Sequence, residues 1–274
     1  MLKIPVLAYH SANIAGNDYH NNDHTALSHD LETINRLGYQ IIPANWLVDW
    51  LAGRRDLDQT EYYVVLTFDD GVSLDFHDWV HPEHGLQKSF FNILKQFSLN
   101  HPKQQPNVHA SSFVIASRQA RENIQEKALS GHPLLSDDWW IDAEKTPFLS
   151  IENHSLDHNH PDCEITAQKD GITGSFGVID SYDECDQEVR QASEFIHGLI
   201  ERKSLLYAYP WGQYSEYIAN EYFPDFQYEH HIKAAFTTEP ETVHSQTNQW
   251  LIPRYVCGEQ WKSPEQLIQI IHHS

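Results

Sequence analysis

The chain has 274 residues, with 18 basic and 39 acidic side chains and a formal net charge of −21. At 40% hydrophobic and 12% aromatic it can bury a sizeable core, which excludes a disordered chain. The acidic balance argues against nucleic acid or an anionic membrane as partner, and suits a neutral substrate or one that becomes cationic on reaction; a solubility trait would read the same way. The sequence has no Gly/Ser linker, Pro-rich tract or internal repeat, so residues 1–274 are read as a single domain. Three cysteines without ligand spacing give no disulfide framework. No run approaches the ~18 apolar residues of a membrane span. Nor does an apolar signal-peptide core precede the first strand. A cytoplasmic location is therefore expected, although a secreted protein trimmed of its signal would look identical.

In chain order, residues 4–9 read as a short apolar strand ending at His10. A segment rich in Asn, Asp and His follows over 11–26, too polar for core, and His20, His24 and His29 in or beside it are expected to face water. Leu31, Ile34 and Leu37 recur at helical spacing with Ser28 as N-cap and Gly38 as stop. Residues 39–42 read as strand, 45–51 as helix and 62–68 as strand. Residues 90–97 are helical and 108–115 strand-like. Two stretches, 72–89 and 117–148, read as long loops or irregular helices. Beyond them come a helix over 184–201, strands over 204–209 and 232–236, and a last helix opened by Ser263-Pro264-Glu265. Strands alternating with helices predict parallel β/α units, in which ligands gather at the C-terminal strand ends.

The chemistry concentrates at such ends. Thr67-Phe68-Asp69-Asp70-Gly71 closes the 62–68 strand. Successive strand side chains point to opposite faces, so two adjacent carboxylates share one site only where the strand opens into a loop, which Gly71 permits. Like charges held close need a cation or hydrogen bonds to offset them. A metal ligand beside a general base meets that need; a helix cap plus a surface acid is the plainer alternative. His154-Ser155-Leu156-Asp157-His158 offers two imidazoles four apart, on one side of a helical turn. Two neutral imidazoles, one carboxylate and an open position make a catalytic zinc set. His160 and Asp162 are read as solvated or supporting. Tyr209-Pro210-Trp211-Gly212 follows another strand. Trp139 and Trp140 are read as packing residues, and Trp211 as an indole placed beside the candidate site.

In this order, Thr67-Phe68-Asp69-Asp70-Gly71, His154-Ser155-x-x-His158 and Tyr209-Pro210-Trp211-Gly212 resemble the motif series of the NodB-homology polysaccharide deacetylases, carbohydrate esterase family 4. The opening Pro5-Val6-Leu7-Ala8-Tyr9-His10 is similar to the poly-N-acetylglucosamine deacetylase branch. The resemblance spans residues 4 to about 256 and implies a distorted (β/α) barrel, seven-stranded with long rim loops. It implies hydrolysis of N-acetyl groups on amino sugars, with Asp69 as base and a divalent ion on Asp70, His154 and His158. The ion is expected to be zinc, with nickel, cobalt or iron compatible with the same donors. Ser155 braces the loop of the two histidines, and Tyr209, Pro210 and Trp211 form the substrate and oxyanion side through a backbone N–H. Leu7-Ala8-Tyr9-His10 fits a permuted Leu-x-x-His motif, making His10 the general acid; Ile270-Ile271-His272-His273 offers other histidines, in or after the last helix. Where many relatives have Arg before the third motif, this chain has Ala208, and Arg254 is expected to supply that charge to the base. Hydrolysis of a non-sugar amide at the same site, or silent carbohydrate binding, are the competing functions; intact Asp69, Asp70, His154 and His158 argue against the second.

Overall fold

The computed structural model describes residues 2–163, 167–169, 171–172 and 174–272. His273 lies outside them. The principal strands are β1 (Val6–Tyr9), β2 (Tyr39–Ile41), β3 (Tyr62–Phe68), β4 (Ala110–Val114), β5 (Leu149–Asn153), β6 (Leu206–Ala208), β7 (Ala234–Phe236) and β8 (Tyr255–Val256). Seven of them form one curled parallel sheet in the order β7-β6-β5-β4-β3-β1-β8, and β2 pairs with the first half of β3. Ile252, shortly before β8, bridges Phe236 of β7. The segment leading into β8 thereby joins the two ends of the sheet, giving the distorted (β/α) barrel expected from the sequence.

Burial on both faces explains why the strands read as continuous apolar runs. Val65 packs inward with Val6, Phe113, Leu206, Phe236 and Ile252. Its neighbours Val64 and Leu66 pack outward, beneath α1 (Asp23–Arg36) and α3 (Phe90–Asn100), the helices on either side of α2 (Ala44–Leu51) in the chain. The inward register of β3 is thus Val65, Thr67 and Asp69.

Several local expectations change. The first helix begins at Asp23, five residues before Ser28, because the buried Asn22 side chain accepts from the N–H groups of His24 and Thr25 and caps it. His24 is consequently buried, its ring bonded to the Ser11 and Lys88 carbonyls, whereas His20 and His29 are exposed as expected. The 117–148 stretch holds a regular helix, α4 (Arg118–Ala128), capped by the Ser117 hydroxyl on the N–H of Ala120. The 72–89 stretch holds a β-hairpin, Trp79–His81 against Gly85–Gln87. The helix read over 184–201 is interrupted by a π turn, Gln187–Gln191, before α5 (Ala192–Ile200). A last helix, α6 (Pro264–His272), ends the described chain.

Candidate active site

Asp69 continues the inward register of β3 and is almost fully buried. Arg254, completely buried, meets it with both arms: Nη1 donates to Oδ1 and Nη2 to Oδ2, each at 2.7 Å. Nη1 also donates to Thr67 Oγ1 and Nε to the Thr237 carbonyl, so the guanidinium is fixed on three sides. Burial alone would raise the Asp69 pKa, but Arg254 and His154 outweigh it and hold the carboxyl below its usual range. Asp69 stays ionised with both oxygens aligned.

Asp70 would follow the pleat to the opposite face if the strand continued. Instead the chain turns through left-handed conformations, φ 74° at Asp70 and 66° at Gly71. A Cβ on Gly71 would stand 2.6 Å from a Val114 side-chain atom, so no larger residue fits. The two carboxylates converge by this turn.

The histidines converge by a different route from the one their spacing suggests. They lie on the loop after β5, not on a helix: Ser155 and His158 have φ of 73° and 66°. Asn153 Oδ1 accepts from the Ser155 N–H, and Ser155 Oγ accepts from the His158 N–H at 2.8 Å. Ser155 therefore links two positions of the loop. The buried Glu188 of the π turn accepts from the Leu156 N–H, and Asn153 Nδ2 donates to the Val189 carbonyl. His154 Nδ1 bonds the Ala208 carbonyl, which sets the tautomer and turns Nε2 toward the site. His154 Nε2 and His158 Nε2 lie 3.6 and 3.8 Å from Asp70 Oδ1. One donor atom from each of Asp70, His154 and His158 falls within 4.8 Å of the others, the only such metal-capable cluster among the described residues. Burial and the adjacent His154 push His158 down to about 3, leaving a neutral imidazole able to ligate a metal. For Asp70, burial works toward a higher pKa, but His154, His10 and His158 together hold it far below the usual range. Two neutral nitrogens and a carboxylate suit a divalent ion of the zinc class.

His10 follows β1 and lines the same cleft of about 490 Å³ with Asp69, Asp70, His154, His158 and Trp211. Its backbone N–H donates to Asp23 at 2.9 Å, and its buried Nδ1 has no partner among the described residues. Burial opposes charge on the imidazole, yet Asp70, Asp69 and Asp23 outweigh it and raise its pKa. Trp211, φ 58° and half exposed, stands edge-on to His158 with ring centres 4.6 Å apart. His160 tilts over the same indole at 5.7 Å. Tyr209 and Pro210 differ from expectation: both are buried, and the Tyr209 hydroxyl donates to the Trp250 carbonyl, so neither side chain lines the cleft. Trp139 and Trp140 are core residues, as read.

Two acids escaped the sequence reading. Asp23 lies in the segment taken as a polar loop, where only the Asn22 cap marks a helix start. Asp75 is buried behind the two catalytic-rim carboxylates and accepts from the Ser11 and Ser112 hydroxyls at 2.6 Å each. Burial, reinforced by Asp70 and Asp69, raises its pKa to about 7.

A family model described as polysaccharide deacetylase matches residues 56–223. The chain belongs to the polysaccharide deacetylase family. It is thus a hydrolase, and the matched span takes in Asp69, Asp70, His154, His158 and Trp211 but neither His10 nor Arg254. Among solved structures, this deacetylase is similar to the Streptococcus pyogenes deacetylase PplD in complex with acetate, at 18% identity and TM-score 0.66 over 98% of each chain. It is also similar to a de-N-acetylase of Aggregatibacter actinomycetemcomitans, at 15% identity and TM-score 0.66 over 98% of this chain and 99% of that one. A third is IcaB of Ammonifex degensii, at 15% and 0.63 over 99% and 97%. At these identities the likeness establishes the fold. No curated protein matches the sequence.

Proposed function

We propose that this deacetylase removes N-acetyl groups from amino sugars of the N-acetylglucosamine type, as oligomers or polymers, with the help of one divalent ion. The observation that carries the reading is the meeting of a metal-capable Asp70, His154 and His158 set with an arginine-held carboxylate and a histidine in one cleft. Bound there, a divalent ion would lower the pKa of a coordinated water to about 7 and polarise the acetamide carbonyl. Asp69 takes the proton of the attacking water; Arg254 keeps the accepting oxygens in place and the carboxylate charged. His10 delivers a proton to the departing amine, and the acids around it raise its pKa and so favour its protonated form. Trp211 stacks on the sugar, and its backbone N–H faces the oxyanion. The net charge of −21 favours the aminosugar product as a cation over any anionic substrate.

The test is acetate release from N-acetylglucosamine oligomers by chelator-stripped protein, with and without zinc, nickel or cobalt, and with Asp69→Asn as control. Metal-dependent release lost in the variant supports the reading. Stoichiometric metal binding with no release from any amino sugar overturns it.

A further inference from the structure

Two residues beyond His10, at Ala12, the chain borders a second cavity of about 360 Å³. Ala12, Ala128 and Leu129 wall both, so the two lie side by side. Each falls within the roughly 300–1,000 Å³ range of small-ligand sites. Trp79 stands in this second cavity, with His81 and His132 against it edge to face at ring-centre distances of 4.9 and 5.4 Å. Ile14, Leu74 and Leu134 supply apolar wall.

The hairpin that carries the indole is tied down. Trp79 pairs with Gln87 across the hairpin, and the buried Gln87 donates to Asn17 Oδ1 and accepts from Asn22 Nδ2. Asn22 is the cap of α1, and the next residue, Asp23, holds the His10 backbone. The Trp79 hairpin and His10 are therefore anchored to one cap. His81 Nδ1 accepts from the N–H groups of Glu83 and His84 at 3.0 and 3.1 Å, so the neutral ring carries its proton on Nε2 and can donate it. Burial and the neighbouring His84 lower the His81 pKa, which favours that neutral form. No lysine or arginine lines the cavity among the described residues, leaving an anionic ligand without a partner.

We infer that this cavity is a subsite for a further sugar unit of the same substrate chain, with Trp79 as its stacking platform and His81 and His132 as hydrogen-bond partners for its hydroxyls. Apolar sugar faces pack on an indole while neutral imidazoles take hydroxyls at its edges. The inference rests on the amino-sugar reading above, and it makes the enzyme one that binds chains in preference to single sugars.

Metal-loaded wild type, Trp79→Ala, Trp79→Phe and His132→Ala are compared on the N-acetylglucosamine tetramer and on 4-nitrophenyl acetate, an ester too small to reach the second cavity. Trp79→Ala should raise KM for the tetramer about fivefold to tenfold, with kcat within about twofold and ester turnover unchanged. Trp79→Phe should recover most of the loss, and His132→Ala should raise KM by a smaller factor. If Trp79→Ala also loses ester turnover, its fold is damaged and the other two variants decide. Unchanged tetramer KM in Trp79→Phe and His132→Ala then overturns the subsite, as does unchanged KM in an active Trp79→Ala. Wild type that cleaves the ester but no amino-sugar oligomer overturns the substrate reading, and the subsite with it.

Discussion

Two carboxylate–arginine pairs are put to different uses, one wholly buried and one whose arginine is about a third exposed. Where β5 meets the start of β6, Glu152 accepts from Arg202, from the Ser204 hydroxyl and from the N–H groups of Leu205 and Leu206. Its burial still outweighs these partners and raises its pKa. At the C-terminal rim, Asp69 has fewer donors yet a lowered pKa, because Arg254 grips both oxygens and His154 stands close by. The Glu152 pair ties β5 to the start of β6; the Asp69 pair keeps a charged carboxylate aimed at open space. Backbone strain follows the same division. Of eight non-glycine residues at positive φ among the described residues, Asp70, Ser155, His158, Asn159 and Trp211 belong to the rim segments that carry the site. The barrel holds strained backbone where side chains must converge, and closed hydrogen-bonding where the chain needs only to be joined.

The sharpest way to break this comparison is to remove each partner in turn. Asp69→Asn should cost acetate release about 10²–10⁴-fold, the range for a general base, and should also lower the melting temperature, because the buried Arg254 guanidinium loses its counter-charge. Arg254→Ala leaves a buried carboxylate uncompensated, a loss of about 3–5 kcal/mol for a buried pair, and should lower kcat about 10²-fold or more. Arg202→Ala should lower stability while kcat/KM stays within about twofold. Equal kinetic damage from the two arginine variants would show that the two pairs are not functionally distinct. Melting curves beside initial rates decide it.

The site was legible in the sequence where a motif sits on a strand end. The apolar run over 62–68 fixes the strand, and the pleat then dictates that Asp69 and Asp70 diverge unless the chain turns. What the spacing of His154 and His158 could not convey was the loop. A helix and a braced left-handed turn both bring residues four apart together, and only Ser155 Oγ and Asn153 Oδ1 select the second. Tyr209 was misplaced because strand-end position says nothing about which face a side chain takes; its hydroxyl found the Trp250 carbonyl inside. Asp23 and Asp75 were missed because buried acids within polar segments look solvated, and their hydroxyl and backbone partners are distant in sequence or silent in pattern. Trp79 was passed over for the same reason: a short hairpin between a motif and a helix leaves little periodicity.

Asp75 sharpens the comparison from the stability side. Its folded pKa of about 7 lies above the ordinary carboxylate value of 3.8, so the folded state binds more protons between these values. Its contribution to stability therefore falls as pH rises from about 4 through 7 and levels above, by up to roughly 4 kcal/mol. Asp75→Asn keeps a neutral group between Ser11 and Ser112, whose hydroxyls can donate or accept. Urea unfolding at pH 5 and pH 8, with chelator present, should show the variant gaining on wild type at the higher pH. Parallel behaviour of the two proteins would mean that the serines hold Asp75 charged without penalty.

The smallest expected effect concerns His10, whose charge is set by the acids around it. For a general acid, activity is lost as pH rises through the pKa, so the alkaline limb of kcat/KM reports His10 in the free enzyme. Asp70, Asp69 and Asp23 each raise that pKa against burial, but Asp70 and Asp69 cannot be changed without disturbing the metal set or the base. Asp23 can, because its carboxylate meets the His10 backbone N–H and lies outside the cleft lining. Asp23→Asn retains an oxygen for that N–H and removes one negative charge. The alkaline limb should move to lower pH by about half a unit, with the acid limb and the maximal rate near their wild-type values. A limb that stays put would assign the proton donor to a group that Asp23 does not face, and His160, which leans over Trp211 at the mouth of the same cleft, would be the next imidazole to replace.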